Sequence, residues 1–145
     1  MGKINWGRVI GGGLLAGVVL NVFDYVYYGV VMKNDMAAAM QALGKQPQAI
    51  NALVPWFIFL DFIYGIGLLW VYAAIRPRFG AGPKTGVIAG VAVWFFIILL
   101  HNLLHNLGEA PMGLYPQRMY MTGTIVALVQ YALAGPIGAY LYKEM

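Results

Sequence analysis

The sequence predicts an all-α polytopic membrane protein, an antiparallel bundle of four transmembrane helices with a short amphipathic helix in one loop. Three observations carry that expectation. Hydrophobic residues make up 61% of the 145-residue chain and charged residues only 10%, with mean hydropathy +0.73. A soluble domain usually runs at about 45–50% apolar and roughly 25% charged, and a chain this short cannot enclose so much apolar surface within itself. The apolar residues also fall into four runs, each long enough to cross about 30 Å of hydrocarbon, which takes roughly 20 helical residues. Finally, the runs lack the polar–apolar alternation of barrel strands about 10 residues long, so helices must satisfy the backbone in lipid. These features exclude a soluble enzyme, a disordered tail and a nucleic-acid reader. The net charge of +4 gathers at the ends of apolar runs, where membrane orientation accounts for it. With no cysteine, disulfides, zinc–thiolate sites and iron–sulfur clusters are excluded as well.

The first span covers about 9–31 and is interrupted only by Asn21 and Asp24. It exceeds the 7–15 residues of a signal-peptide core and carries polar residues inside it, so it is expected to be retained. The second span covers about 53–75 and contains Asp61. The third covers about 86–107 and ends in His101-Asn102-Leu103-Leu104-His105-Asn106. The fourth covers about 119–142, with Gln130 inside.

The loops differ in character. The 76–85 connection is tight and rich in Pro77, Gly80, Gly82 and Pro83, which makes the second and third helices antiparallel neighbours. In the 32–52 loop, Asn34 or Asp35 can cap a short helix that places Met36, Met40 and Leu43 on one face and ends at Gly44. The 108–118 loop, with Pro111, Gly113 and Pro116, reads as irregular structure. Six basic residues (Lys3, Arg8, Arg76, Arg78, Lys84, Lys143) fall on the side of the termini. Three (Lys33, Lys45, Arg118) fall on the other side. The positive-inside bias then puts both termini in the cytoplasm, with a bacterial inner membrane as the default location.

Small residues recur at helical spacing: Gly13 and Gly17, Gly86 and Gly90, Ala134 and Gly138. They let membrane helices approach closely, either within the chain or in a homo-oligomer or a contact with a protein partner. Gly11-Gly12-Gly13 should loosen the first helix, and Pro136 should bend the fourth. Trp6, Trp56, Tyr115, Tyr120, Tyr140 and Tyr142 fit interfacial belts.

Ionisable groups within a span are costly and count as functional hypotheses. At about 1.5 Å per residue, Asp24 lies roughly 10 Å in from the outer end of its span, Asp61 roughly 12 Å and His101 roughly 9 Å. Acid, acid and imidazole thus share an outer-leaflet layer, with Tyr64 one turn from Asp61 and Asn21 one turn from Asp24 or Tyr25. Helical phase aligns Gly13, Gly17, Asn21, Asp24 and Tyr28 on the first helix, and Gly90, Trp94, Ile97, His101 and His105 on the third.

Such a layer has several uses. His101 and His105 can grip a transition metal, with Asp24 and Asp61 completing the shell, although Asn102 stands where a zinc protease has glutamate. Asp24, Asp61, His101, Tyr64 and Asn21 can instead carry protons or hold a cation. Haem ligation through His101 needs a second helix or subunit. The structural alternative is that these groups only fix helix register, with Asn102 and Asn106 bonding between helices. Six methionines (Met32, Met36, Met40, Met112, Met119, Met121) sit on the outer side. They are read either as soft ligands for Cu(I) or as adaptable packing.

The third and fourth spans, with Gly86-x3-Gly90-x3-Trp94, Asn102 and a final glycine-containing helix ending near Tyr142, resemble a family of uncharacterised four-span bacterial membrane proteins. The resemblance covers about half the chain, and the paired His101 and His105 depart from it. It implies fold and membrane location only. No nucleophile–base arrangement or phosphate loop points to an enzyme. The favoured expectation is an accessory or scaffold module of a membrane assembly. The alternative is a small proton, cation or metal transport protein using the polar layer.

Overall fold

The computed structural model describes residues 3–108 and 117–144. The expected features of the 108–118 loop (Pro111, Gly113, Pro116), together with Met112, Tyr115 and the Asn106 side chain, lie outside the described residues. Among the described residues, four helices are long and apolar enough to cross a membrane: Trp6–Val31, Pro47–Phe79, Pro83–His105 and Gln117–Ala139. The protein is an all-helical four-helix bundle.

The first spanning helix begins as α1 (Trp6–Asp24), capped by the Asn5 side chain, which accepts from the Arg8 N–H. It then widens into a π-helical stretch, Tyr25–Val31. Helix α2 (Lys33–Ala42) follows at once. Its first turn starts ahead of the expected Asn34 or Asp35 cap, because Met32 links the two helices: its N–H donates to Tyr27 O and its carbonyl accepts from Met36 N–H. Asp35 falls in that first turn, where a negative charge suits the helix dipole. Met36 and Met40 are half-buried and Ala39 is buried, while Leu43 is exposed. Gly44, at φ 68°, ends the element, a conformation that favours glycine.

A 3₁₀ run, Pro47–Leu53, leads into α3 (Val54–Phe79). This helix passes through Pro77 and outruns the span expected from hydropathy, so the turn to the next helix shrinks to residues 80–82. Gly80 (φ 85°) and Gly82 (φ 123°) make that turn. Thr85 Oγ1 donates to Gly80 O at 2.7 Å, and Gly82 N–H donates to the Tyr72 hydroxyl at 3.2 Å. The third spanning helix is α4 (Pro83–Val93), a second π-helical stretch (Trp94–Leu99) and α5 (Leu100–Gly108). Helix α6 (Gln117–Ala139) is the fourth and carries Pro136 within it.

The bundle is built from two helix pairs. Helix α1 packs most heavily on α3, and α4 on α6, with α1–α6 and α3–α4 contacts closing the ring. Glycines set both pairings. A Cβ on Gly13 would lie 2.5 Å from Ile66 Cα, and one on Gly65 would strike the Gly13 carbonyl and the Gly17 nitrogen. The second pair repeats the device: Gly86 faces Pro136 Cα at 2.7 Å, Gly90 faces the Tyr131 carbonyl and Gly135 faces the Gly86 carbonyl. Gly12 and Gly138 face each other's carbonyls between α1 and α6. These approaches gain dispersion contacts that larger residues would forbid.

Val9, Ala16, Leu20, Leu68, Leu69, Tyr72, Ala89 and Ala134 form the core. Trp56, Phe59, Phe96, Ile125 and Leu133 point outward, the arrangement of a bundle whose solvent is hydrocarbon. At the end carrying the termini, Tyr72 and Tyr142 meet edge to face, Arg76 lies over the Tyr142 ring, and Arg76 pairs with Glu144 at 3.0 Å.

Candidate functional site

Toward the end opposite the termini, the glycine-tightened half of the bundle gives way to a cavity of about 130 Å³. That is room for several waters. All four spanning helices line it. The first contributes Asp24, Tyr27 and Tyr28, the second Asp61 and Tyr64, the third Ile98 and Asn102, and the fourth Gly123, Gln130 and Tyr131, among others.

The local sequence explains how these groups come together. Asp24 closes α1 where the helix turns to π geometry, and Asp61 lies one turn from Gly65, the close-approach point with α1. Both carboxylates therefore line the cavity at the seam between the two helix pairs. Gln130 is buried on α6 and donates from Nε2 to Asp24 Oδ1 at 2.9 Å and to Leu20 O at 3.0 Å. Asp61 is only 8% exposed, and no hydrogen bond reaches its carboxylate among the described residues. One acid is thus anchored by an amide, and the other faces open cavity. Buried polar groups are nearly always paired, so a charged Asp61 calls for a cation, a proton or water.

Around this floor the polar partners are fixed. The Tyr27 hydroxyl bonds Thr122 Oγ1 and reaches Met119 O at 3.3 Å. Asn102 Nδ2 donates to Thr124 Oγ1 at 2.7 Å, and Trp94 Nε1 donates to Thr124 O at 2.9 Å. Both π-helical stretches border the cavity, since Tyr27, Tyr28 and Ile98 belong to them. Such widened turns recur at functional sites.

The structure divides the residues expected in the polar layer. Asp24, Asp61 and Tyr64 meet in the cavity. Asn21 does not line it: its Nδ2 donates to Gly17 O at 2.9 Å and reaches Ile58 O at 3.4 Å, tying α1 to α3. His101 is exposed and faces His105, with the two Nε2 atoms 2.8 Å apart, and His105 stacks on the Tyr120 ring. The expected shell of His101, His105, Asp24 and Asp61 is therefore split between two places. Among the described residues no group of three or more His, Asp or Glu is set to hold one metal ion.

A backbone detail accounts for the histidines. A π-helical stretch bonds i to i+5 in place of i+4. It therefore takes up about one extra residue, and every side chain beyond it turns by roughly 100°. After Trp94–Leu99 the position that faces the cavity is Asn102, one residue past the expected His101. Gln130 and Tyr131 were not among the expected site residues, although a lone amide midway along an apolar span was visible as a signal. Tyr27 lies seven residues after Leu20 on the buried stripe of the first helix, whereas the expected polar face ran through Tyr28.

Compared with known proteins, the chain matches no family model, no curated protein and no solved structure. The resemblance of its third and fourth spans rests on the residues that carry it.

Proposed function

We propose that this is a small cation-handling membrane protein whose binding site is the cavity between Asp24 and Asp61. One observation carries the reading: all four spanning helices build a polar cavity lined by two carboxylates, and Asp61, a residue only 8% exposed, faces that space with no hydrogen-bond donor on it among the described residues. Intramembrane carboxylates are costly in lipid and count by default as marks of ion or proton paths. The lining offers carboxylate, phenol and amide oxygens, hard donors that suit a proton or an alkali cation better than a soft metal. Gln130 holds Asp24 while Asp61 is left to exchange its partner. The expectation of an accessory or scaffold module drew on glycine faces as docking surfaces. Those at Gly12, Gly13, Gly17, Gly65, Gly86, Gly90, Gly135 and Gly138 are filled by helices of the same chain.

In this reading the bundle spans the inner membrane of a bacterium with both termini in the cytoplasm, following the six-to-three excess of basic residues at the terminal side. The site then lies in the outer half of the bilayer. The chain has no cysteine, so single cysteines at Lys45 and Arg78 report sidedness without background. Labelling of Arg78→Cys from outside intact cells, with Lys45→Cys protected, would reverse this orientation.

The functional test is flux in proteoliposomes, read with a pH-sensitive and a Na⁺-sensitive dye under an imposed gradient. Wild type should exceed protein-free vesicles, Asp61→Asn should lose at least tenfold, and Gly67→Ala, which alters only the outer surface, should retain full flux. Flux that is absent, or that ignores both Asp61→Asn and Asp24→Asn, overturns the proposal.

A further inference from the structure

His101 and His105 stand outside the carboxylate cavity, and their geometry has its own chemistry. They lie four residues apart on α5, the spacing that brings side chains together on one helix face. Their Nε2 atoms point at each other across 2.8 Å, and the rings are inclined by 74°. The Tyr120 ring, stacked on His105 at 5.4 Å with only 3° between planes, fixes the orientation of one imidazole from the neighbouring helix α6.

We propose that this pair is a bidentate binding site for a tetragonal divalent metal ion, Cu(II) foremost. The two nitrogens are close enough that small side-chain rotations let both reach one ion about 2.0–2.1 Å from each. Two imidazoles in adjacent equatorial positions of a tetragonal site lie about 2.8–3.0 Å apart, and Cu(II) binds nitrogen donors most tightly of the first-row divalent ions. At present the short contact holds one proton between two ring nitrogens. On metal binding that proton moves to the Nδ1 of its own ring, so both imidazoles coordinate through Nε2 as neutral donors. Asp24 and Asp61 take no part, which separates this site from the one proposed above. His101 is exposed, so solvent reaches the pair.

The test is a Cu(II) titration of the full chain, carrying no histidine tag, in lipid nanodiscs, followed by electron paramagnetic resonance. One copper per chain is expected, in an axial spectrum with hyperfine splitting from two equatorial nitrogens. His101→Ala and His105→Ala should each weaken binding at least tenfold, while Asp24→Asn and Asp61→Asn bind as wild type. A spectrum showing one nitrogen or none overturns the assignment on the unmutated protein. So does uptake that survives the double histidine substitution, or uptake that disappears with the aspartates.

Discussion

Gly65→Ala is the sharpest test of how the two helix pairs are held. The added methyl would strike the Gly13 carbonyl and come within 2.6 Å of the Gly17 nitrogen. Both are backbone atoms, so no rotamer change relieves the overlap. Ordinary contact begins at 3.4 Å, and the closer Gly13 carbonyl sets the movement, so α1 and α3 must part by about 1 Å. A gap of about 0.5–1 Å forfeits a quarter to a half of each contact's well of about 0.1–0.2 kcal/mol. Over a few tens of atom pairs along this interface, the loss is on the order of 2 kcal/mol, within the usual cost of overpacking of about 1–3 kcal/mol. Gly67→Ala is the internal control, since nothing lies within 4 Å of its methyl. It should be neutral or stabilising by roughly 0.5–1 kcal/mol, the helix preference of alanine over glycine. Reversible unfolding in mixed detergent micelles, followed by circular dichroism, measures both variants. If Gly65→Ala proves as stable as Gly67→Ala, the close approach of α1 and α3 is refuted.

Three further outcomes are expected. Gln130→Leu removes the donor on Asp24 and Leu20 O and should cost about 1–3 kcal/mol for groups left unpaired in a buried site; a double-mutant cycle with Asp24→Leu should show coupling of about 0.5–3 kcal/mol, and strict additivity would dissolve the pair. Tyr27→Phe loses the hydroxyl that bonds Thr122 and Met119 O and should destabilise by about 0.5–1.5 kcal/mol in the same unfolding assay, with no effect if the hydroxyl is not bonded. The Arg76–Glu144 pair is partly exposed, so its cycle with Arg76→Ala and Glu144→Ala should give only about 0.2–1 kcal/mol, falling as salt is raised. A salt-independent coupling would contradict an exposed ion pair.

The spans were legible because lipid imposes a length and a composition that no other environment asks of a chain. The glycine pairs were legible for a similar reason, since close helix approach in lipid demands small residues at four-residue spacing. Phase beyond the two π-helical stretches was not legible. Nothing in Tyr25–Val31 or Trp94–Leu99 distinguishes them in composition from ordinary apolar helix, yet each resets which face points inward. That is why Asn102 occupies the place expected for His101. Depth alone places Asp24, Asp61 and Tyr64 together at the cavity, because Asp24 lies just before the first widened turn and the second spanning helix contains none. Gln130 shows a different limit. Its role depends on which carboxylate it meets across the bundle, and pairing between distant helices leaves no trace in a single sequence.

The Asp24–Gln130 hydrogen bond also sets a schedule for the making of the protein. Its two ends are separated by 106 residues. At the usual synthesis rate of about 5–20 residues per second, Gln130 leaves the ribosome roughly 5–20 s after Asp24. Through that interval the first pair of helices must enter the bilayer with an acid that lacks its amide. A chain truncated before the last helix should therefore be less stable in the bilayer than the full chain, with Asp24 still lacking its amide.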